Sequence, residues 1–196
     1  MKKILSVVLA VLMIFSTISI IGFAKPEEKV PVVILQGYSG PNLAYADENG
    51  EPISPMGYGK AGSFEGFCSG GGIARLGEML KSQAKEKGIA TELEAIDVLT
   101  AKNISDAAKN GDTVAKDVYR ICAEKLGAGL SIIIDILNPE IIIIGSIYQR
   151  DTEMFEDIIN EIINKEALSH SAKVCKVVPA ELGNSIGDFA ALGLVF

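Results

Sequence analysis

LGAGLSIIIDILNPEIIIIGS, Leu126 to Ser146, holds two different hydrophobic patterns on either side of one proline. Before Pro139, Leu126, Leu130, Ile133 and Leu137 recur at helical spacing. After it, Glu140 leads into four consecutive isoleucines, Ile141 to Ile144, which run into Gly145. An unbroken β-branched run of this kind predicts a strand covered on both faces of an α/β sheet, with Ile142 and Ile144 on one face and Ile141 and Ile143 on the other. Asn138-Pro139 stops the helix, because the residue before a proline is pushed out of the helical region. Upstream, Asp112 follows Gly111 and can cap the same helix, which then runs through Val114, Val118, Ile121 and Cys122 to Leu137. The end of the isoleucine strand is expected to face a ligand cleft, where open α/β sheets bind.

The second informative stretch is MGYGKAGSFEGFCSGGGIARLG, Met56 to Gly77. Glu65 is read here as a lone carboxylate in a Gly- and Ser-rich loop. Gly70, Gly71 and Gly72 then lead into Ile73, Leu76, Met79 and Leu80 at helical spacing, closing near Lys87-Gly88. A helix N-terminus offers unpaired N–H groups, and glycines let backbone approach a ligand, so a polar group could be held beside Glu65. A tight loop and a capped helix explain the same residues without a ligand. Elsewhere, Leu93 to Lys109 reads as one or two short helices with Ser105 a cap for the second. Met154 to Lys165 reads as an amphipathic helix, Lys173 to Val178 as a strand, and Gly187 to Leu194 as a terminal helix capped by Asp188. The alternation implies an α/β layered domain.

The blocks GSFEGFCSGGGIA, residues 62–74, and LGAGLSIIIDILNPEIIIIGS resemble the C-terminal half of the ROK family of sugar kinases and repressors, especially its glucokinase-like members. They lie in the family's order and at about its spacing. The resemblance implies the C-terminal half of an actin- and hexokinase-like fold, in which two ribonuclease-H-like halves close on ATP, Mg2+ and a hexose. It implies that Glu65 accepts hydrogen bonds from sugar hydroxyls, as an ionised carboxylate can. It places Gly145 and Ser146 against the adenosine of ATP, where the family has a glycine pair; Ser146 departs from that pattern. Many relatives carry a Cys-rich zinc loop with an upstream His just before the matching Glu. Gly57 to Gly62 contains neither residue, so no zinc is expected.

Family kinases also begin with a D-x-G-G-T-like phosphate loop and carry an Asp that activates the sugar hydroxyl, and neither has a counterpart before Gly57. Phosphoryl transfer rests on positioning and charge stabilisation, so the chain alone is expected to be a truncated, catalytically defective kinase. The catalytic residue is left unassigned, with Asp97, Asp135 and Asp188 the acids to search. The helix-turn-helix of ROK repressors has no counterpart either. A non-catalytic sugar-binding module stays open, as does a homo-oligomer.

The bulk properties agree with one buried core: 196 residues, 48% hydrophobic, and mean hydropathy +0.32. A net charge of −7 opposes phosphate-backbone binding, so nucleic acid is not an expected partner. Cys68, Cys122 and Cys175 are odd in number and far apart, which argues against a disulfide framework. His170, the single histidine, lies in a polar segment and reads as a surface residue.

The first residues disagree with a cytoplasmic kinase. Lys2 and Lys3 precede an apolar run from Ile4 to Ile21, and Gly22-Phe23-Ala24 supplies small residues at a signal-peptidase site, so 1–24 reads as a signal peptide and the chain as secreted or membrane-associated. Val30 to Leu35 resembles the opening strand of secreted lipase-like α/β-hydrolases, which leaves a hydrolase fragment as a further alternative. Gly37-Tyr38-Ser39-Gly40-Pro41 misses the last glycine of the nucleophile motif G-x-S-x-G, and no triad can be assembled. Residues 25–55 are therefore a linker and short strand of uncertain origin, with 45–56 a loop joining two ancestries by fusion, misassembly or gene decay. The α/β domain is expected over 56–196. Expression in a secreting host should yield a mature chain starting at Lys25, checked by intact-mass spectrometry; a product retaining Met1 would show that the segment is not an export signal.

Overall fold

The computed structural model describes Tyr45–Ala46, residues 52–181 and Ser185. The proposed signal peptide, the Val30 to Leu35 strand and the terminal helix with Asp188 lie outside the described residues.

Two small hairpins come first. β1, Tyr45–Ala46, pairs antiparallel with β2, Pro52–Ile53, and β3, Met56–Gly57, pairs antiparallel with β4, Lys60–Ala61. Parts of the stretch read as a loop over 45–56 are thus paired. Tyr58 and Gly59 both have positive φ, 47° and 72°, as a two-residue hairpin turn requires. Helix α1, Phe64–Cys68, and helix α2, Gly70–Lys87, follow. α2 begins two residues before the expected Gly72, capped by Ser69, and stops at Gly88, whose φ of 67° suits a residue without Cβ. A 3-10 turn, Glu92–Ala95, leads to α3, Ala101–Asn110. Thr100, not Ser105, caps α3: its hydroxyl accepts from Asn103 N while the Asn103 side chain accepts from Thr100 N.

Helix α4, Thr113–Leu137, is the spine, packing against α1, α2 and α3 and against α6, Thr152–Glu166. Asp112 caps it as expected, accepting from Ala115 N at 2.8 Å. Burial pushes the Asp112 carboxyl up, but hydrogen bonds from the backbone of Ala115 and Glu92 and from the Thr91 hydroxyl outweigh that and hold it below its ordinary value. Asn138 ends α4 in the left-handed region at φ 44°. The buried stripe contains Leu126, Leu130 and Ile134; the expected Ile133 is half-buried and Leu137 is 44% exposed. Three adjacent isoleucines satisfy several helical faces, and only the packed partners select among them.

Strand β5, Ile141–Ile144, is followed by α5, Ile147–Arg150, α6, α7, Ser169–Val174, and β6, Lys176–Pro179. The predicted strand from Lys173 is corrected: its first residues finish α7, and β6 begins at Lys176. β5 and β6 are parallel, with Ile141 opposite Lys176 and Ile144 opposite Pro179. Ile142 and Ile144 are fully buried while Ile141 and Ile143 are half-buried, so only one face of β5 is sealed among the described residues. The expectation of two covered faces is corrected accordingly. Ile142→Ala should therefore lose roughly 2–5 kcal/mol in chemical denaturation, and Ile143→Ala clearly less; equal losses would place both faces in the core.

Candidate functional site

Glu65 lies in the first turn of α1 rather than in a loop. The reason is local: Ser63 caps α1, its hydroxyl accepting from Gly66 N at 3.0 Å and donating to Gly57 O at 3.2 Å. That second bond ties the helix to the β3–β4 hairpin. The Glu65 carboxylate lies over Gly57, where a Cβ would run into Glu65 Oε2, so the hairpin must present glycine at this point. Glu65 is half-buried, and its carboxylate has neither a hydrogen bond nor an ion pair among the described residues.

The glycine cluster works by close approach. A Cβ on Gly72 would collide with the Gly66 carbonyl, so α1 and α2 meet backbone to backbone just behind Glu65. Ser69 Oγ accepts from Gly72 N at 2.8 Å and fixes the start of α2. Gly70 in that first turn faces the other candidate segment: a methyl group placed on it would lie 3.6 Å from Ile147 Cδ1. The exit of β5 and the start of α2 are thus neighbours, which no local pattern in the sequence indicates.

Gly145 follows the last residue of β5, and Ser146 has φ 59° and ψ −122°. Few residues other than glycine adopt that conformation, at a strain of about 1–3 kcal/mol. Gly145 is buried, yet a Cβ there would touch only Ala180 Cβ, at 3.8 Å. For magnesium, the described residues contain no group of three or more His, Cys, Asp or Glu able to hold a metal.

The other candidates separate. Asp97 is exposed; Asp135 is exposed and accepts from Leu168 N at 2.8 Å, which anchors the start of α7. His170 is exposed, in α7 rather than a loop. Cys68 and Cys122 are buried, and burial first, then the neighbouring Cys122, pushes the Cys68 thiol well up, away from reactivity. Lys125 sits 5.7 Å from the Phe67 ring centroid, and burial lowers its pKa.

Sequence reading missed the buried polar cluster around Asp151. Ser105 Oγ and Lys109 Nζ each donate to Asp151 Oδ1 at 2.7 Å, and the Tyr119 hydroxyl lies 3.0 Å from Oδ2 and 3.0 Å from the Ala101 carbonyl. Burial, then the Asp151 charge, pushes the Tyr119 hydroxyl far up, so it stays protonated and donates. The hydrogen bond to Asp151 likewise raises Lys109, which keeps its charge.

Residues 45–195 match the ROK family model. A glucokinase from Halalkalibacterium halodurans is 31% identical over 134 residues, covering 68% of this chain and 41% of the relative. A xylose repressor from Caldicellulosiruptor bescii is 31% identical over 109 residues, covering 56% and 27%. Among solved structures, a ROK family glucokinase from Streptomyces griseus in complex with glucose and AMPPNP superposes with a TM-score of 0.56 at 27% identity, covering 68% of this chain and 44% of that one. The chain thus spans less than half the length of these relatives. Among the described residues no helix is long and apolar enough to cross a membrane. Because Ser146 holds φ 59°, Ser146→Gly should release backbone strain and raise the melting midpoint by the equivalent of about 1 kcal/mol; a destabilised variant would show that the Ser146 side chain holds the turn.

Proposed function

The chain belongs to the ROK family, and from that premise we propose that it is the C-terminal half of a glucokinase-like sugar kinase, the half that offers Glu65 to a hexose and the Gly145–Ser146 exit to ATP. The observation that carries this reading is Glu65 itself: a half-buried carboxylate held over Gly57, with its acceptor oxygens unused among the described residues. Sugar hydroxyls are donors in close array, and a carboxylate can accept from two of them. Ser63 and the backbone contact of Gly72 with Gly66 hold α1, so the backbone that carries Glu65 is in place before any ligand arrives. Support for the nucleotide comes from the glycine that ends β5, where a Cβ would meet only Ala180 Cβ at 3.8 Å, and from the neighbourhood of Gly70 and Ile147.

ATP with Mg2+ supplies the phosphoryl group in such kinases. This chain's residues would orient the hexose and receive the adenosine, while the carboxylate that activates the sugar hydroxyl in the family has no counterpart before Gly57. The repressor among the relatives supports a second reading, in which the same Glu65 arrangement binds sugar without transfer.

Calorimetry of the purified 196-residue chain with glucose should show weak binding, because a half-cleft offers few partners and leaves water in place. Glu65→Gln should weaken it by roughly tenfold, the order of one charged hydrogen bond. An ATP-coupled assay on the same sample should show no sugar phosphate above background. Unchanged affinity in the variant would remove Glu65 from the sugar site, and robust turnover would place the catalytic base within this chain.

A further inference from the structure

Helices α3, α4 and α6 leave a cleft of about 340 Å³ between them, lined entirely by described residues. Gly111, at φ 108°, turns the chain from α3 into α4, so the last turn of α3 stands beside the first turns of α4, with α6 packed along α4. The apolar part of the lining is Ala108 of α3 with Met154 and Ile158, one turn apart on α6. Tyr119 adds its aromatic ring, since its hydroxyl is committed to Asp151 and to the Ala101 carbonyl.

The exposed charges around this lining are three cations, Lys109, Lys116 and Arg120, and one acid, Asp117. That excess of positive charge runs against a chain with 25 acidic and 18 basic residues. The cations differ in what they already hold. Arg120 pairs with Asp117 at 3.1 Å and Glu124 at 2.8 Å, and Lys109 pairs with Asp151 at 2.7 Å and Glu153 at 3.2 Å. Lys116, one turn before Arg120, makes no hydrogen bond or ion pair among the described residues. It is the uncompensated charge beside an apolar floor.

We propose that this cleft binds a small organic anion, a carboxylate or phosphate monoester on an apolar body, with the anionic group on Lys116 and the body against Ala108, Met154 and Ile158. The lining selects both parts of such a molecule. An inorganic anion would leave the apolar surface against water, and an uncharged ligand would leave Lys116 unused. The volume lies at the lower end of the roughly 300–1,000 Å³ typical of small-molecule pockets, so a body of about one ring fits. The cleft is separate from the sugar site, lying about three turns of α4 before Gly129, where Phe64 seats. It adjoins the buried polar cluster instead, because Lys109 and Tyr119 both line it and hold Asp151. The inference does not depend on the kinase reading.

The test follows the Met154 methyl group by NMR in the full 196-residue chain as phenyl phosphate or benzoate is added. At least one of the two should give a saturable shift, and which one binds tighter names the anionic group. Lys116→Ala should weaken that binding roughly fivefold, the size of one partly solvated charge pair. Lys102→Ala removes another exposed lysine, paired with Asp106 outside the cleft, and should leave the binding unchanged. Inorganic phosphate and benzyl alcohol each carry one part of the chemistry, and each should bind more weakly by a similar factor. Benzyl alcohol binding as tightly as the anions would overturn the proposal by showing an apolar hole without charge recognition. Inorganic phosphate binding equally would reduce the site to a surface charge, and a methyl signal that no probe moves would show that the cleft takes no such ligand. Both substitutions fall on exposed lysines, and an unshifted Met154 signal in the unliganded variants confirms that the helices still pack.

Discussion

The packing of α4 governs the rest of the described chain, and it depends on two positions where α4 has no side chain. A Cβ on Gly129 would overlap the Phe64 ring, and one on Gly127 would lie 2.8 Å from Ile162 Cβ. α1 and α6 therefore seat against the same turn of α4 at distances that no larger residue allows. Phe64 immediately precedes Glu65, so the seating of that ring on Gly129 also positions the α1 backbone that carries Glu65. On the other side, Ile159 and Ile163 of α6 are buried against the spine together with Phe155, whose ring meets Tyr119 edge-on at 5.3 Å. A core of this kind transmits a change at one helix to the site on another, because close-packed interiors relax only partially.

What could be read from sequence was what local chemistry decides. Asp112 after a glycine, a helical run and then Asn-Pro gave both ends of α4, and an isoleucine run into glycine gave β5 almost to the residue. Where several local readings were equally good, the sequence could not choose. Ser105 has the chemistry of a cap, but its hydroxyl instead reaches Asp151, 46 residues away, a pairing that no window along the chain contains. Ser63, three residues before Gly66, was an available cap signal, and it would have placed Glu65 on a helix. The end of β5 was expected to face a cleft; its neighbour there, the first turn of α2, emerges only when the chain is folded.

The cluster around Asp151 ties these two observations together. Asp151 closes α5, its N–H donating to Ile147 O at 3.1 Å, and α6 starts at the next residue. α5 itself begins directly after Ser146. A carboxylate held at once by α3 through Ser105 and Lys109 and by α4 through Tyr119 therefore pins the far end of the short helix whose near end is the Gly145–Ser146 exit. Both its oxygens are engaged and Asp151 is buried, while Lys109 keeps its ammonium partly in water, so the cluster satisfies the buried charge without burying a second one. The strained φ of Ser146 needs such an anchor, since a four-residue helix free at its other end would let the turn relax into an ordinary conformation. Glu65 is held in an analogous way, through Ser63 to the hairpin and through Phe64 to α4. Both candidate segments thus draw their geometry from buried contacts with the spine rather than from loop sequence.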